Sequence, residues 1–561
     1  MLSRAAAIEA IAGRHFEVVV IGGGITGAGV ALDAASRGYS VALLERGDYA
    51  VGTSSRSSKM VHGGLRYLQN LDLGLVREAL LERQLMVQLA PHLVYPTPFL
   101  VPAFGEERRD RKLGIGLNMY DVMATTRVGR SRREMRSSRE GDEDYFWSPD
   151  RHRTIDRDEL LEMVPALAPR DPKGAYLFYD CQTDDVRLVL TILGEAERFG
   201  AVMLNGADVT EVLNSGGRAS GVAFLEAESG ERIEVEADNV VNATGVFADR
   251  IRPEEVVEEE DVPRLKPSRG THLLIDREMI STGASACIVP AGEGRAIFAL
   301  PWYGRTLVGT TDNDYEGDIE HPRPGTEDVE YLLDAVSAFF GIELGRSDLV
   351  GAFAGVRPLI ATGDPKKSVD ISRKAELYET SSGMLTITGG KLTTWRRMAK
   401  QTVDRIVERE MREAACHTAE IPLGMPARAE DLDAPEGVGE IAVAQLAFRY
   451  GHAARTVLKL AREDPSLAAP IVPRRPDLLA EAVIAVRLEQ ARTVADVLLR
   501  RTRLGLVAAP QLRDAESVSA LAGAMGGELG WSRRRVRQEA EAWPAAAAEA
   551  GIDPAVQISD T

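Results

Sequence analysis

Three cysteines in 561 residues, Cys181, Cys287 and Cys416, are too few and too far apart to staple a fold. With no C-x-x-C pair and no metal-ligand spacing, a disulfide framework and a metal site are both excluded, and a reducing, cytoplasmic setting is expected. Long apolar runs are missing as well. No stretch of about eighteen apolar residues occurs, so nothing reads as membrane-spanning. The opening segment, Met1 to Ala12, is too polar and too short in its apolar part for a secretory leader. Positive charge is in deficit, since 67 Lys and Arg face 85 Asp and Glu and leave a formal net charge of −18. A phosphate backbone needs a basic face, so nucleic acid is excluded as a general partner, and an anionic ligand needs a local basic pocket. Internal repeats are absent, which excludes a solenoid. What remains, 44% hydrophobic and 27% charged, is the composition of a globular protein long enough for two or three cores.

The strongest positive signal lies at residues 16–45. The run Val18–Ile21 is continuously apolar, which reads as a buried parallel strand. Gly22, Gly24 and Gly27 follow in the spacing G-x-G-x-x-G. The first allows a tight turn, the second lets backbone approach a pyrophosphate, and the third lets the next helix, about 27–37, pack on the strand. That helix aims its N-terminal amides at the phosphates. Glu45 ends the second strand, at the distance where a carboxylate accepts ribose hydroxyls. The pattern predicts a dinucleotide-binding βαβ unit of Rossmann-like form.

Further along, helices are expected at 76–90 and 186–199, with Pro91, Pro96, Pro98 and Pro102 breaking the pattern between them. A strand at 201–205 precedes hairpins turning at 215–217 and 229–230, and another apolar strand runs to Gly245. Residues 264–355 read as a mixed β domain. A strand from 385 meets Gly389-Gly390, and a helix starting near 392–395 points its N-terminus back at the cofactor. Residues 420–438 read as a linker, and beyond it apolar residues recur with helical spacing. The acidic run 254–261 reads as a solvated loop. A basic stretch, 108–139, surrounds the apolar segment 113–120 and is a candidate for resting on anionic lipid, with a solvated face as the alternative.

Three clusters carry chemistry. Thr53, Ser54, Ser57 and Ser58 form a hydroxyl-rich loop just after Glu45, able to bond phosphate oxygens. His62, Gly63 and Gly64 set an imidazole beside two residues without side chains, where a ring system can pass. Arg66, Arg357 and Lys391 come from distant segments. Arg grips a phosphate bidentately and Lys acts as a mobile point charge, so their convergence would make a focused anion trap in an acidic protein.

At residues 52–68, GTSSRSSKMVHGGLRYL, the chain resembles the FAD-dependent glycerol-3-phosphate dehydrogenases of the glycine oxidase/D-amino-acid oxidase superfamily. The resemblance continues through segments 179–189, 268–272, 309–312, 355–359, 388–394 and 500–504, so it spans most of the length. It implies FAD as cofactor, oxidation of sn-glycerol 3-phosphate to dihydroxyacetone phosphate by hydride transfer from C2 to flavin N5, and a quinone as acceptor. A glycerol-3-phosphate oxidase using O2 and making H2O2, or a related amine or amino-acid oxidase, is the alternative. The cofactor residues it implies are Gly22, Gly24, Ile25, Thr26, Gly27, Glu45, Thr53, Ser54, Ser57, Ser58, Lys59, His62, Gly63, Gly245, Gly389, Gly390, Lys391, Leu392 and Thr393. Substrate residues are Arg66, Tyr67, His272, Arg357 and Lys391, with His272, Arg357 and His62 catalytic. Alcohol oxidation needs a base, and His272 and His62 are the two candidates among eight histidines. Departures are Trp395 where an aromatic Tyr is usual, and 245–249 without the usual Gly-Pro-Trp.

The expected fold class is α/β, α+β overall. An FAD-binding domain is expected in three parts, 1–100, 186–250 and 356–410. A cap segment is expected at 101–185, a substrate-binding β domain at 251–355, a linker at 411–435 and a C-terminal helical domain at 436–561. Expected partners are a phosphorylated polyol, a quinone and a second copy of the chain, with peripheral contact at the inner membrane face.

Overall fold

Val18–Ile21 carries no polar residue because its strand is covered on both faces. In the computed structural model, which describes residues 2–64, 73–105, 111–125, 151–251, 264–292, 295–361 and 375–552, Phe16–Ile21 lies inside a sheet. It runs parallel to Val41–Glu45 on one side and to the end of Arg232–Asn242 on the other. Across the sheet the order is Ala375–Glu379, Leu385–Gly389, Arg232–Asn242, Phe16–Ile21, Val41–Glu45, Val202–Asn205. Val18 and Val20 face helices Ile25–Ser36, Asp185–Arg198 and Trp395–Glu410, whereas Val19 and Ile21 face helix Arg4–Ile11 and the hairpin 207–226. Each such side chain withdrawn from water is worth about 1.5–3 kcal/mol, so an unbroken apolar run specifies a doubly covered strand.

Helix boundaries shift for local reasons. The helix expected from residue 27 starts at Ile25, because Gly24 is extended and caps it. The helix expected from 186 starts at Asp185, where the Asp184 carboxylate accepts the N–H groups of Val186 and Arg187 at 3.1 Å each. Helix 73–89 begins three residues before the expected 76.

Within the stretch expected as a mixed β domain, a second, ten-stranded sheet takes in Ser268–Asp276, Ala286–Pro290, Ala296–Trp302, Arg305–Gly309 and Leu349–Arg357. It also takes in Val94–Ala103 and Gly174–Thr183, which pair with each other along their whole length. The domain boundary expected at residue 100 therefore falls inside a strand, and segment 101–185 shares a sheet with 251–355. Ladder partners some eighty residues apart leave no local mark. Pro96, Pro98 and Pro102 do not end the strand; they share one parity, so their missing N–H groups fall along one side of it.

The segment expected as a linker is packed onto the first sheet's core. Ile421 and Leu423 join that core, and Leu423 N–H donates to the Leu89 carbonyl at 2.7 Å. The helices from Leu479 onward share a core with the second sheet, one that holds Trp302 and Phe353 together with Leu498 and Leu504, whereas helices Glu440–Tyr450 and Ala454–Glu463 form a smaller core with Leu478, Ala480 and Ile484. Two buried ion clusters also join this helical layer to the cofactor unit. Arg500 and Arg501 grip Asp48, and Arg503 grips Asp184 and Asp185. Among the described residues no helix is long and apolar enough to cross a membrane. Of the basic stretch 108–139 only helix Arg111–Thr125 is described, and the acidic run 254–261 lies outside the described residues.

Candidate active site

The two sheets meet over a cavity of about 1140 Å³, larger than the ~300–1,000 Å³ usual for a small-molecule site. Its nucleotide end is built by the glycine turn. Gly22 sits at φ +107, and a Cβ there would lie 2.8 Å from the Ala243 carbonyl oxygen. A Cβ on Gly27 would lie 1.9 Å from the Gly22 carbonyl oxygen, so only glycine lets this helix lie on its strand. The Glu45 carboxylate accepts the N–H groups of Gly23 at 2.7 Å and Gly47 at 2.8 Å, which aims it at the cavity. Burial pushes its pKa up against those two bonds. The Ser54 hydroxyl accepts from Ile25 N–H at 2.9 Å, which sets the hydroxyl loop on the helix N-terminus. Thr53 is fixed from the second sheet by a 2.6 Å bond to the Val356 carbonyl.

Opposite, Gly389, Gly390, Lys391, Leu392 and Thr393 line the cavity from the last strand and helix, with Gly245 beside them. The Thr388 hydroxyl donates to the Gly245 carbonyl at 3.0 Å. Ile25, Thr26, Ser57, Ser58 and His62 complete this wall. Three expected cofactor residues do not line the cavity. Gly27 acts only through packing. Lys59 is fully buried on Asp185 at 2.7 Å. Gly63 donates to the Tyr120 hydroxyl at 3.0 Å, and a Cβ on it would lie 2.4 Å from Leu80. Both therefore support the loop from behind. For Lys59, burial is the cause: an ammonium taken out of water needs a carboxylate, and Asp185 supplies it.

At the substrate end, His272 and Arg357 come from adjacent antiparallel strands. The imidazole is 3% exposed, stacks on Phe353 with ring centroids 4.7 Å apart, and has its Nε2 2.9 Å from the Ser58 hydroxyl. Its ring passes over Gly309, where a Cβ would lie 2.3 Å from it. Burial first, then the charges of Lys59 and Arg357, hold its pKa well below the usual value. It is therefore uncharged at neutral pH and able to accept a proton. The Arg357 guanidinium lies 3.2 Å from Asp312 and donates to the Thr311 carbonyl at 3.0 Å. Lys391 lines the same cavity. Two members of the expected cation set thus share one space, while Arg66 and Tyr67 lie outside the described residues.

Sequence reasoning missed several lining residues. Asp180 accepts from the Tyr120 hydroxyl at 2.7 Å and pairs with Arg83 beneath the 62–64 loop. Thr310, Thr311 and Asp312 surround Arg357, and Asp208–Thr210 close the far nucleotide end. The one available signal was that Asp180 and Asp312 stand within the resembling segments. Among the described residues no cluster of His, Cys, Asp and Glu could hold a metal ion.

Glycine turn, ribose carboxylate and a cavity running from them to an uncharged histidine define a dinucleotide-dependent oxidoreductase. The family model "FAD dependent oxidoreductase" matches residues 17–396, and "C-terminal domain of alpha-glycerophosphate oxidase" matches 384–536. The chain is 38% identical over 537 residues to glycerol-3-phosphate dehydrogenase 1 of Mycobacterium tuberculosis, covering 92% of this chain and 96% of that one. It is 34% identical over 510 residues to the aerobic glycerol-3-phosphate dehydrogenase of Bacillus subtilis, covering 87% of each. The solved glycerol-3-phosphate dehydrogenase from Bacillus halodurans, complexed with FAD, superposes with a TM-score of 0.77 at 28% identity over the full length of both. The chain belongs to the family of FAD-dependent glycerol-3-phosphate dehydrogenases. Its cofactor is FAD, and the cavity fits such a group: Gly22, Gly24, Ser54, Glu45 and the 389–393 segment line one continuous space and would be the residues to hold it.

Proposed function

We propose that this enzyme oxidises sn-glycerol 3-phosphate to dihydroxyacetone phosphate and passes the electrons to a quinone. The observation that carries the reading is the meeting, in one cavity, of the dinucleotide cradle with buried His272 and the cations Arg357 and Lys391. FAD, when bound, supplies the two-electron acceptor that takes the hydride from C2 at N5. The chain's own residues do the rest. His272, uncharged, takes the C2 hydroxyl proton as the carbonyl forms. Arg357 and Lys391 hold the phosphate, and Arg66 and Tyr67 join them in this reading. His62, lining the wall by the 389–393 segment, contacts the cofactor. Ser58 orients the imidazole through its 2.9 Å bond.

A quinone dissolves in the bilayer, so this reading carries contact at a membrane surface, with the basic stretch 108–139 as its site. Such contact should weaken with salt, because screening shortens to about 3 Å at 1 M. Anaerobic addition of glycerol 3-phosphate to the yellow protein should bleach the flavin, and a quinone should restore the colour faster than oxygen. Flavin that stays oxidised would overturn the reaction. The match of residues 384–536 to an oxidase C-terminal domain gives the second reading, an oxygen-using oxidase, and faster reoxidation by O2 with H2O2 release would select it.

A further inference from the structure

Behind His272 lies a buried charge cluster that the proposed chemistry leaves unused. The Asp185 carboxylate accepts from the Ser57 hydroxyl at 2.7 Å, the Ser57 N–H at 3.2 Å and the Lys59 ammonium at 2.7 Å. Its other oxygen accepts from Arg503, which arrives from the C-terminal layer more than three hundred residues later and also lies 3.3 Å from Asp184. The Lys59, Asp184, Asp185 and Arg503 side chains are at most 3% exposed. Lys59 donates further to the Ser55 carbonyl at 2.6 Å and holds φ at +60, a backbone conformation that surrounding contacts must enforce.

Between the two pinned residues, 57 and 59, stands Ser58, with its hydroxyl 2.9 Å from His272 Nε2. The Lys59 ammonium also lies 4.9 Å over the Phe353 ring, on which His272 stacks. His272 Nδ1 is buried and makes no hydrogen bond among the described residues. The Ser58 hydroxyl is therefore the side-chain hydrogen-bond partner, among the described residues, through which the tautomer can be biased. If it donates to Nε2, the ring proton sits on Nδ1; if it accepts, Nδ1 keeps the lone pair. Whatever holds Ser58 in place holds the bond on which the ring's orientation and tautomer balance rest.

We propose that Arg503 is a positioning residue for the redox site: acting through Asp185 on Ser57 and Lys59, it sets Ser58 and so the orientation and tautomer of His272. The C-terminal helical layer then completes the site from behind. The inference rests on the role given to His272 above. A merely structural ion pair would support the fold and leave the ring unaffected.

The test uses the flavin-loaded full chain with Arg503→Lys, Ser58→Ala, the double variant, and Arg37→Lys as control. Arg37 forms a buried pair with Asp33 at 2.6 Å, away from the cavity. Arg503→Lys should keep flavin but bleach about 10- to 100-fold more slowly at saturating glycerol 3-phosphate, with KM moved far less. Ser58→Ala should do the same, and the double variant should be no slower than the slower single one. Nitrogen-15 spectra of histidine-labelled protein, with the His272 signals identified by their loss in His272→Asn, should show its tautomer shifted in both single variants. Arg37→Lys should lower the melting temperature but change neither rate nor tautomer. An unchanged bleaching rate or an unchanged tautomer in folded Arg503→Lys would overturn the proposal. So would losses that multiply in the double variant. If Arg503→Lys does not fold, Lys59→Gln is read by the same criteria. If glycerol 3-phosphate bleaches no variant and not the unaltered protein, the reaction falls, and the tautomer measurement still decides the positioning role.

Discussion

At the residue scale the proposed reaction rests on one uncharged imidazole and two cations. General bases contribute about 10²–10⁴-fold. His272→Asn should therefore slow flavin bleaching by roughly that factor while FAD stays bound, measured by stopped-flow absorbance. His62→Asn should instead lower flavin retention, since His62 lines the wall near the Gly389–Thr393 segment. A large rate loss in His62→Asn with full flavin, and none in His272→Asn, would exchange the roles. For the cations, losing one charge-assisted contact costs about 1.5–3 kcal/mol, or about 10- to 150-fold in KM for glycerol 3-phosphate. Arg357→Lys is the cleaner probe, because it leaves a cation beside Asp312, 3.2 Å away in the native protein. Plain glycerol, lacking the phosphate, should respond much less to Arg357→Lys or Lys391→Ala. Equal losses on both substrates would mean that these cations do not read phosphate.

At the scale of elements, the site is held by close approach of backbone. The nucleotide helix lies so near its strand that a methyl group on Gly27 would sit 1.9 Å from a carbonyl oxygen. Backbone cannot swing aside as a flexible side chain can, so the helix must lift and carry the Ile25 amide away from the cavity. Gly27→Ala should purify with little flavin and a lower melting temperature, read from the ratio of visible to ultraviolet absorbance. Overpacking of this kind costs typically 1–3 kcal/mol. Gly194, inside helix Asp185–Arg198, has open space around it and does not line the cavity, so Gly194→Ala should keep its colour.

At the scale of the whole molecule, buried ion clusters stitch the C-terminal layer to the cofactor unit. Arg501 binds Asp48 at 2.7 Å, and Arg500 and Arg501 hold the Asp48 carboxyl far below its usual pKa despite burial. Arg503, with backbone bonds from the following helix, does the same for Asp184. In the unfolded chain these carboxylates protonate near pH 3.9. Above that pH both states bind the same protons and the stabilisation is complete. As pH falls below about 4, the unfolded chain takes up protons that the folded chain still refuses, so stability falls. Thermal unfolding should show this loss, and Asp48→Asn should flatten that part of the curve while lowering stability at neutral pH. Unchanged acid sensitivity in that variant would remove Asp48 from the account.

The sequence alone determined the parts that depend on near neighbours. The apolar run 18–21, the glycines at 22, 24 and 27 and the acid at 45 act within one βαβ unit, so spacing carries their meaning. The Gly389-Gly390 turn was legible for the same reason, since both residues hold positive φ, whereas the hydroxyls of Thr53, Ser57 and Ser58 bond to Val356, Asp185 and His272, far along the chain. Tertiary structure decided what depends on distant partners. The sheet joining 94–103 and 174–183 to 268–357 leaves no periodic signal in either segment. Nor does sequence show that Lys59 turns away from the cavity to Asp185, that Asp180 lies beneath the 62–64 loop, or that Arg503 reaches the Asp185 carboxylate that holds Ser57 and Lys59. A buried charge takes whichever counter-charge the fold brings within about 3 Å, and chain order carries no record of that choice.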